Sequence, residues 1–288
     1  MWGFLFLLTG RWLCYNEKNK EKGLEDMNRM LKNYHSHTTR CGHAWGTDEE
    51  FVQAAIDNGY GVLGFSEHSP WPFADGYKEI DTRQRIPLET LDAYIADMQA
   101  LKETYKGRIE IKIGLECEYF PQYFDWLKTI KHKLDYLILG VHCADHDEHL
   151  SHYYARSTQP EQVQEYLRCT LAGMESGLFT YLAHPELCLA DYPVYDEVAR
   201  DMVHAICRKA KELDLPLEYN LYGVDKQGRG RQKGLGYPCK LFWEAAADHG
   251  CTAIIGVDAH RPVNFNRQRF LDAQSYLTSL NMKLIDEI

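Results

Sequence analysis

Asn33-Tyr34-His35-Ser36-His37 is the stretch whose reading decides the fold. Side chains at i and i+2 of an extended strand share one face, roughly 7 Å apart along it. His35 and His37 are therefore placed to reach one metal ion, and His43 follows six residues later. A His-x-His pair alone is weak evidence, because surface strands carry it by chance. Its weight depends on whether the rest of the chain delivers further ligands to the same place.

Outward from that strand, short apolar runs alternate with amphipathic helical segments. Thr47-Asp48-Glu49-Glu50 has the form of a capping box, and Val52, Ala55 and Ile56 share a face behind it. Residues 62–65 predict a second strand that delivers Glu67 and His68. The loop over 70–87, rich in Pro, Gly and aromatic residues, is long enough to carry function. Leu88, Leu91, Ile95, Met98 and Leu101 predict a helix that Gly107 stops, and Ile109, Ile111, Ile113 and Leu115 alternate as a strand ending at Glu116. Strands over 136–141, 179–183 and 216–219 end at His142, His184 and Asn220. A seventh, over 253–257, delivers Asp258 and His260. Helices over 124–131, 161–176, 196–213, 238–249 and 267–280 separate or follow them.

Seven strand–helix units without a long linker predict one α/β domain on a parallel barrel. The alternative is a doubly wound open sheet, in which only strand ends near a switch point converge. Six of the seven strands end in a histidine or a carboxylate. A barrel gathers all of those ends at one mouth, so the barrel is the better reading.

The composition fits. Of 288 residues, 45% are apolar and 26% charged, as in an ordinary globular protein. The net charge, 32 − 42 = −10, disfavours an extended nucleic-acid surface. Nine cysteines without a CxxC or a regular framework read as reduced thiols of a cytoplasmic protein. Residues 1–30 are expected to be an extension before the barrel domain at 31–288. The apolar run from Trp2 to Leu8 is too short to span a bilayer and lacks the features of a secretory signal. Met27 and Met30 lie just before the first convincing strand, so residues 1–26 are read as an extension from an upstream start codon.

The strand-end residues His35, His37, His43, His68, Glu116, His142, His184, Asp258 and His260 make seven imidazoles and two carboxylates. One tetrahedral ion takes four ligands at most, so the set implies two or three metals with a bridging carboxylate. Tyr34-His35-Ser36-His37-Thr38, Cys41-Gly42-His43-Ala44, Gly114-Leu115-Glu116, Ala183-His184-Pro185-Glu186-Leu187 and Asp258-Ala259-His260 carry a resemblance. With them the chain resembles the polymerase and histidinol phosphatase (PHP) superfamily, in its histidinol-phosphatase branch, from about Asn33 to about Asn264. The resemblance implies a distorted (β/α)7 TIM-like barrel with a trinuclear site of zinc, iron or manganese. In it His35, His37, Glu116 and Asp258 would hold one ion, Glu116 with His142 and His184 a second, and His43, His68 and His260 a third. Gly140-Val141-His142 lacks the serine that relatives often place before this ligand.

The activity implied is that of a phosphomonoesterase hydrolysing histidinol phosphate in histidine biosynthesis. Glu116, His142 and Asp258 would take the catalytic role, through a hydroxide held by the metals. A thiol mechanism at Cys41 is disfavoured, since no Cys-x5-Arg phosphate loop is present. Arg83, Arg85, Arg229, Arg231 and Arg261 lie in loops after strands and are the candidates to grip phosphate. Trp71, Phe73 and Tyr222 are candidates for the pocket wall, and Asp75, Glu118 and Asp225 for the substrate's imidazole and amine. Glu67 and Glu118 adjoin ligands and are candidates to orient them. Two competing readings are a nuclease or nucleotide phosphoesterase on the same metals, and a metal-binding module without catalysis. The intact ligand set argues against the second. Membrane association is not expected, and the sequence leaves the oligomeric state open.

Overall fold

The computed structural model describes residues 30–73, 85–145 and 152–288. Its strands form one parallel sheet in sequence order. They are β1 (Leu31–Asn33), β2 (Tyr60–His68), β3 (Glu110–Cys117), β4 (Tyr136–Leu139), β5 (Tyr181–Leu182), β6 (Leu217–Asn220), β7 (Thr252–Gly256) and β8 (Lys283–Leu284). Helices α1 (Asp48–Asp57), α2 (Leu91–Thr104), α3 (Phe124–Ile130), α4 (Pro160–Glu175) and α5 (Glu197–Leu213) lie between successive strands. They are followed by α6 (Leu221–Gly228), α7 (Lys240–Asp248) and α8 (Arg267–Ser279). The seven anticipated strands are present. The eighth strand and α6 are additions, both too short to show a period in the sequence.

Two ends of the sheet behave differently. At the carboxyl ends of the strands, Ser36 bridges Ala259 in parallel, with His37 N donating to Ala259 O at 2.9 Å. The Asn33 side chain reinforces this closure, its Oδ1 accepting from Val257 N at 2.8 Å and its Nδ2 donating to Ser36 Oγ at 2.7 Å. At the opposite end β8 pairs with β7, and Tyr34 Oη donates to Asp286 O at 3.3 Å. The C-terminal segment is thus a wedge between β7 and β1, which makes the barrel a distorted one.

Period-two alternation explains the two cores. On β4, Leu137 and Leu139 face the helices, whereas Tyr136 and Ile138 face inward with Tyr34, Val62, Tyr181, Ala183 and Ile254. This plug fills the barrel below the mouth. Tyr136 Oη donates to Tyr34 O at 2.5 Å, and the Tyr34 and Tyr136 rings meet edge to face at 5.8 Å. Gly114 is required here, since a Cβ would stand 2.5 Å from the Tyr136 ring. The capping box of α1 forms as predicted: Glu50 N donates to Thr47 Oγ1 at 3.2 Å and Thr47 N to Glu50 Oε2 at 2.8 Å. Such a cap contributes about 1 kcal/mol. Residues 1–26 lie outside the described residues. Among the described residues no helix is long and apolar enough to cross a membrane, and none of the eight cysteines is in a disulfide.

Candidate metal centre

All nine strand-end residues named from the sequence converge on the closed mouth of the barrel. Glu116, at the end of β3, stands at the centre and is 1% exposed. Its two oxygens face different sets of imidazoles. Oε2 lies 3.3 Å from His35 Nε2, 3.5 Å from His37 Nε2 and 3.1 Å from His68 Nδ1. Oε1 lies 2.8 Å from His184 Nε2 and 3.5 Å from His142 Nε2. Gly140 makes room for this carboxylate, because a Cβ there would overlap Oε1. Asp258 closes the other side, its Oδ1 at 3.2 Å from His37 Nε2, 3.6 Å from His35 Nε2 and 3.3 Å from His260 Nδ1.

The donor atoms fall into groups compact enough for an ion: His35, His37 and Asp258; His35, Glu116 and His184; His68, Glu116 and His142; and His37, His68 and His260. His43 joins the last through its Nε2, 3.0 Å from His260 Nε2. The groups overlap more than the three sets expected from the sequence, since His68 touches Glu116 as well as its imidazole neighbours. Buried polar atoms are nearly always hydrogen-bonded. Here His35 Nε2, His37 Nε2 and Glu116 Oε2 are buried without a hydrogen-bond partner, all aimed at the same place. That donor set, imidazole and carboxylate together, suits divalent ions. Among the described non-glycine residues, His184 (φ 29°) and Asp258 (φ 52°) are two of four with left-handed backbone. Such strain is concentrated at functional sites.

Electrostatics divide the centre. Burial raises the Glu116 carboxyl, but His35, His142, His68 and the hydrogen bond from His184 outweigh it and hold it well below the usual range. Asp258 follows the same pattern under His35, His260 and His37. Burial opposes charge on His35 too, yet Glu218, Asp258 and Glu116 hold its pKa well above the ordinary value. His37 is likewise raised to about 9, against burial, by the neighbouring carboxylates of Asp258 and Glu67. His68 and His260 go the other way, pulled well below by burial and by the neighbouring His37.

Further carboxylates stand behind the ring nitrogens. Glu67 Oε2 lies 3.7 Å from His37 Nδ1, and its Oε1 accepts from the backbone and hydroxyl of Thr38. Glu118 Oε1 lies 3.7 Å from His142 Nδ1, and its Oε2 accepts from Trp71 Nε1 at 3.1 Å.

Of the arginines expected to grip phosphate, the four described ones are not among the residues lining the cavity over the centre. Arg85 is buried, 3.6 Å from Glu118 and packed over Phe73 and Phe120. Arg229 pairs with Asp225 at 2.9 Å, and Asp225 is also held by Arg269. Arg261 stacks on Trp45, and Arg231 is exposed. Arg83 and Asp75 lie outside the described residues. Instead, Arg156, Lys226, His152, Tyr153, Tyr222 and Tyr237 line the cavity of about 560 Å³ over the centre. Tyr222 was expected in this wall; it stacks on His260 at 4.8 Å. Lys226 Nζ sits 4.4 Å over the Tyr222 ring and donates to Tyr237 Oη at 3.2 Å. Trp71 is buried behind the wall. Nothing in the sequence marked Arg156, which lies on a short turn well beyond β4, or Lys226, which lies on the unanticipated α6.

Known proteins share this arrangement of chain. The PHP domain model matches residues 33–221. A relative in Deinococcus radiodurans named probable histidinol-phosphatase is 32% identical over 261 residues, spanning 83% of this chain and 89% of the relative. The histidinol-phosphatase of Bacillus subtilis is 26% identical, spanning 83% of this chain and 97% of its own. Among solved structures, a chain from Listeria monocytogenes superposes with a TM-score of 0.71 at 22% identity, covering 83% of this chain and 99% of its own. Histidinol phosphate phosphatase from Lactococcus lactis, complexed with zinc, L-histidinol and phosphate, gives 0.65 at 18% identity, covering 88% and 95%. At those identities the superpositions establish the fold.

Proposed function

The chain belongs to the PHP domain family, and from that membership we propose that it is a metal-dependent phosphomonoesterase hydrolysing histidinol phosphate to histidinol and phosphate. The observation that carries the reading is the central Glu116, whose two oxygens face two separate sets of imidazoles beneath a cavity lined by two cationic side chains. His35, His37, Glu116 and Asp258 would hold one ion. Glu116 with His142 and His184 would hold a second, and His43, His68 and His260 a third. Bound there, divalent ions supply Lewis acidity toward phosphoryl oxygens and bring the pKa of water down to about 7.

The chain's own residues do the rest. Arg156 and Lys226 supply positive charge to a phosphate dianion above the centre, with Lys226 held in place by Tyr222 and Tyr237. Burial pulls the Lys226 pKa below the ordinary lysine value, so its proton is more readily given than that of a surface lysine. Tyr153, Tyr222 and Tyr237 give the organic part of the substrate aromatic walls. The cavity takes a small metabolite, and the net charge of −10 disfavours a nucleic-acid track. The imidazole and carboxylate donor set suits zinc, iron and manganese alike.

Steady-state assays on histidinol phosphate, a panel of small phosphomonoesters and a 5′-phosphorylated oligonucleotide test the proposal. The expected result is a kcat/KM for histidinol phosphate at least ten times that for the others. A preference for the oligonucleotide would overturn it.

A further inference from the structure

The centre has a second glutamate at a strand end that none of the roles above uses. Glu218 lies on β6 and is fully buried. It points into the barrel, on the face shared with Asn220 two residues on. Its Oε1 meets His35 Nδ1 at 2.8 Å. Its Oε2 accepts from His184 N at 3.1 Å and from Asn220 Nδ2 at 2.9 Å. The Asn220 amide also donates to Asp258 Oδ2 at 3.1 Å. One carboxylate therefore connects residues delivered by β1, β5 and β7.

The backbone around Glu218 repeats the setting of Glu116. Glu116 on β3 rests over Gly140, just past the end of the neighbouring β4. Glu218 on β6 rests over Gly256, at the end of the neighbouring β7, and a Cβ at either glycine would overlap the Oε1 beside it. The two differ in what they face. Glu116 Oε2 is buried without a hydrogen-bond partner, whereas both Glu218 oxygens are taken by protein donors. Glu218 is built like a ligand and used as an anchor.

We propose that Glu218, seated over Gly256, is the positioning residue that sets the tautomer of His35 and the placement of His184 and Asp258 for metal binding. A carboxylate has no proton to give, so the Nδ1 of a neutral His35 must be the donor. That leaves the lone pair on Nε2, the nitrogen aimed at Glu116 and Asp258. The bond to His184 N holds the backbone where it takes its left-handed turn. Glutamine cannot replace this group. With its NH2 toward His35, the ring would keep its proton on Nε2; with its NH2 turned away, it would face the donors His184 N and Asn220 Nδ2.

The inference rests on the metal-centre reading, and the test separates the two. Zinc affinity and stoichiometry are measured by chelator competition and elemental analysis on the full chain, for wild type, Glu218→Gln and Gly256→Ala. Circular dichroism and thermal melting of the metal-free forms report folding. Substitutions behind metal-binding histidines typically weaken metal binding about 10–100-fold. Both variants are expected to bind zinc with that loss, beyond any change in the melting of the metal-free chain. If Glu218→Gln does not fold, Gly256→Ala decides, because it displaces the carboxylate without removing it. Wild-type zinc affinity in a folded variant, or a lowered melting temperature alone, would overturn the role of Glu218. Absence of zinc from the wild type would overturn the metal centre itself.

Discussion

The floor and the rim of the barrel mouth both hold buried histidines, and those histidines behave in opposite ways. The floor comprises His35, His37, Glu116, His184 and Asp258, all buried. Its carboxylates draw positive charge inward: His35 is held well above the ordinary imidazole range and His37 at about 9, although burial opposes both. The rim comprises His43, His68 and His260, whose rings lie 4.8–6.3 Å apart. Burial and the neighbouring His37 pull His68 and His260 well below the ordinary imidazole range. The difference teaches that a set of candidate ligands is not uniform because its members share a mouth. Negative charge concentrated on the floor would favour cations there, and a rim without carboxylates would bind them with less Coulombic help.

Substitutions can break that contrast or sharpen it. The largest effect is expected at Glu116, the carboxylate that both sets of imidazoles share. Glu116→Gln should lower kcat/KM for histidinol phosphate by about 10³-fold or more, beyond the loss of a single preorganised electrostatic contact, and reduce bound metal. Near-normal turnover in this variant would remove Glu116 from the centre. A smaller loss is expected at the rim: His260→Ala should cost about 10²-fold, while elemental analysis still finds metal on the floor. Equal metal loss from both variants would erase the distinction between floor and rim. In the wall above, Lys226→Met should raise KM, lowering kcat/KM about 10-fold, as expected for one charge-assisted hydrogen bond. Arg229→Ala should change kcat/KM by less than about twofold, because Arg229 is half-exposed and its partner is Asp225. A tenfold effect there would return Arg229 to the phosphate site.

The contrast also explains what the sequence could and could not reveal. The strand-end residues that meet at the mouth were legible because a histidine or carboxylate closing an apolar alternation has few structural reasons to be there. Glu116 after Ile109-x-Ile111-x-Ile113-x-Leu115 is the clearest case. Glu218 carried the same signal in Leu217-Glu218-Tyr219-Asn220, an acid on the inward face of a buried strand, two residues before the Asn220 that was noted. The phosphate-side cations were not legible. Position in a loop does not say where a long side chain ends, so Arg85 could as well be buried against Glu118 as exposed to substrate. Lys226 depends on α6, an eight-residue helix with too few turns to show its period. The wedge strand β8 is two residues long, and only its tertiary partner on β7 makes it a strand.

The most direct test of the whole account is a metal titration of chelator-stripped protein, with bound zinc and phosphate release from histidinol phosphate measured in the same samples. If floor and rim form one multinuclear centre, release should be absent from the stripped protein, remain low through the first equivalent, and reach its maximum only as more than one ion per chain is bound. Full activity in the stripped protein, or at a single ion per chain, would contradict it.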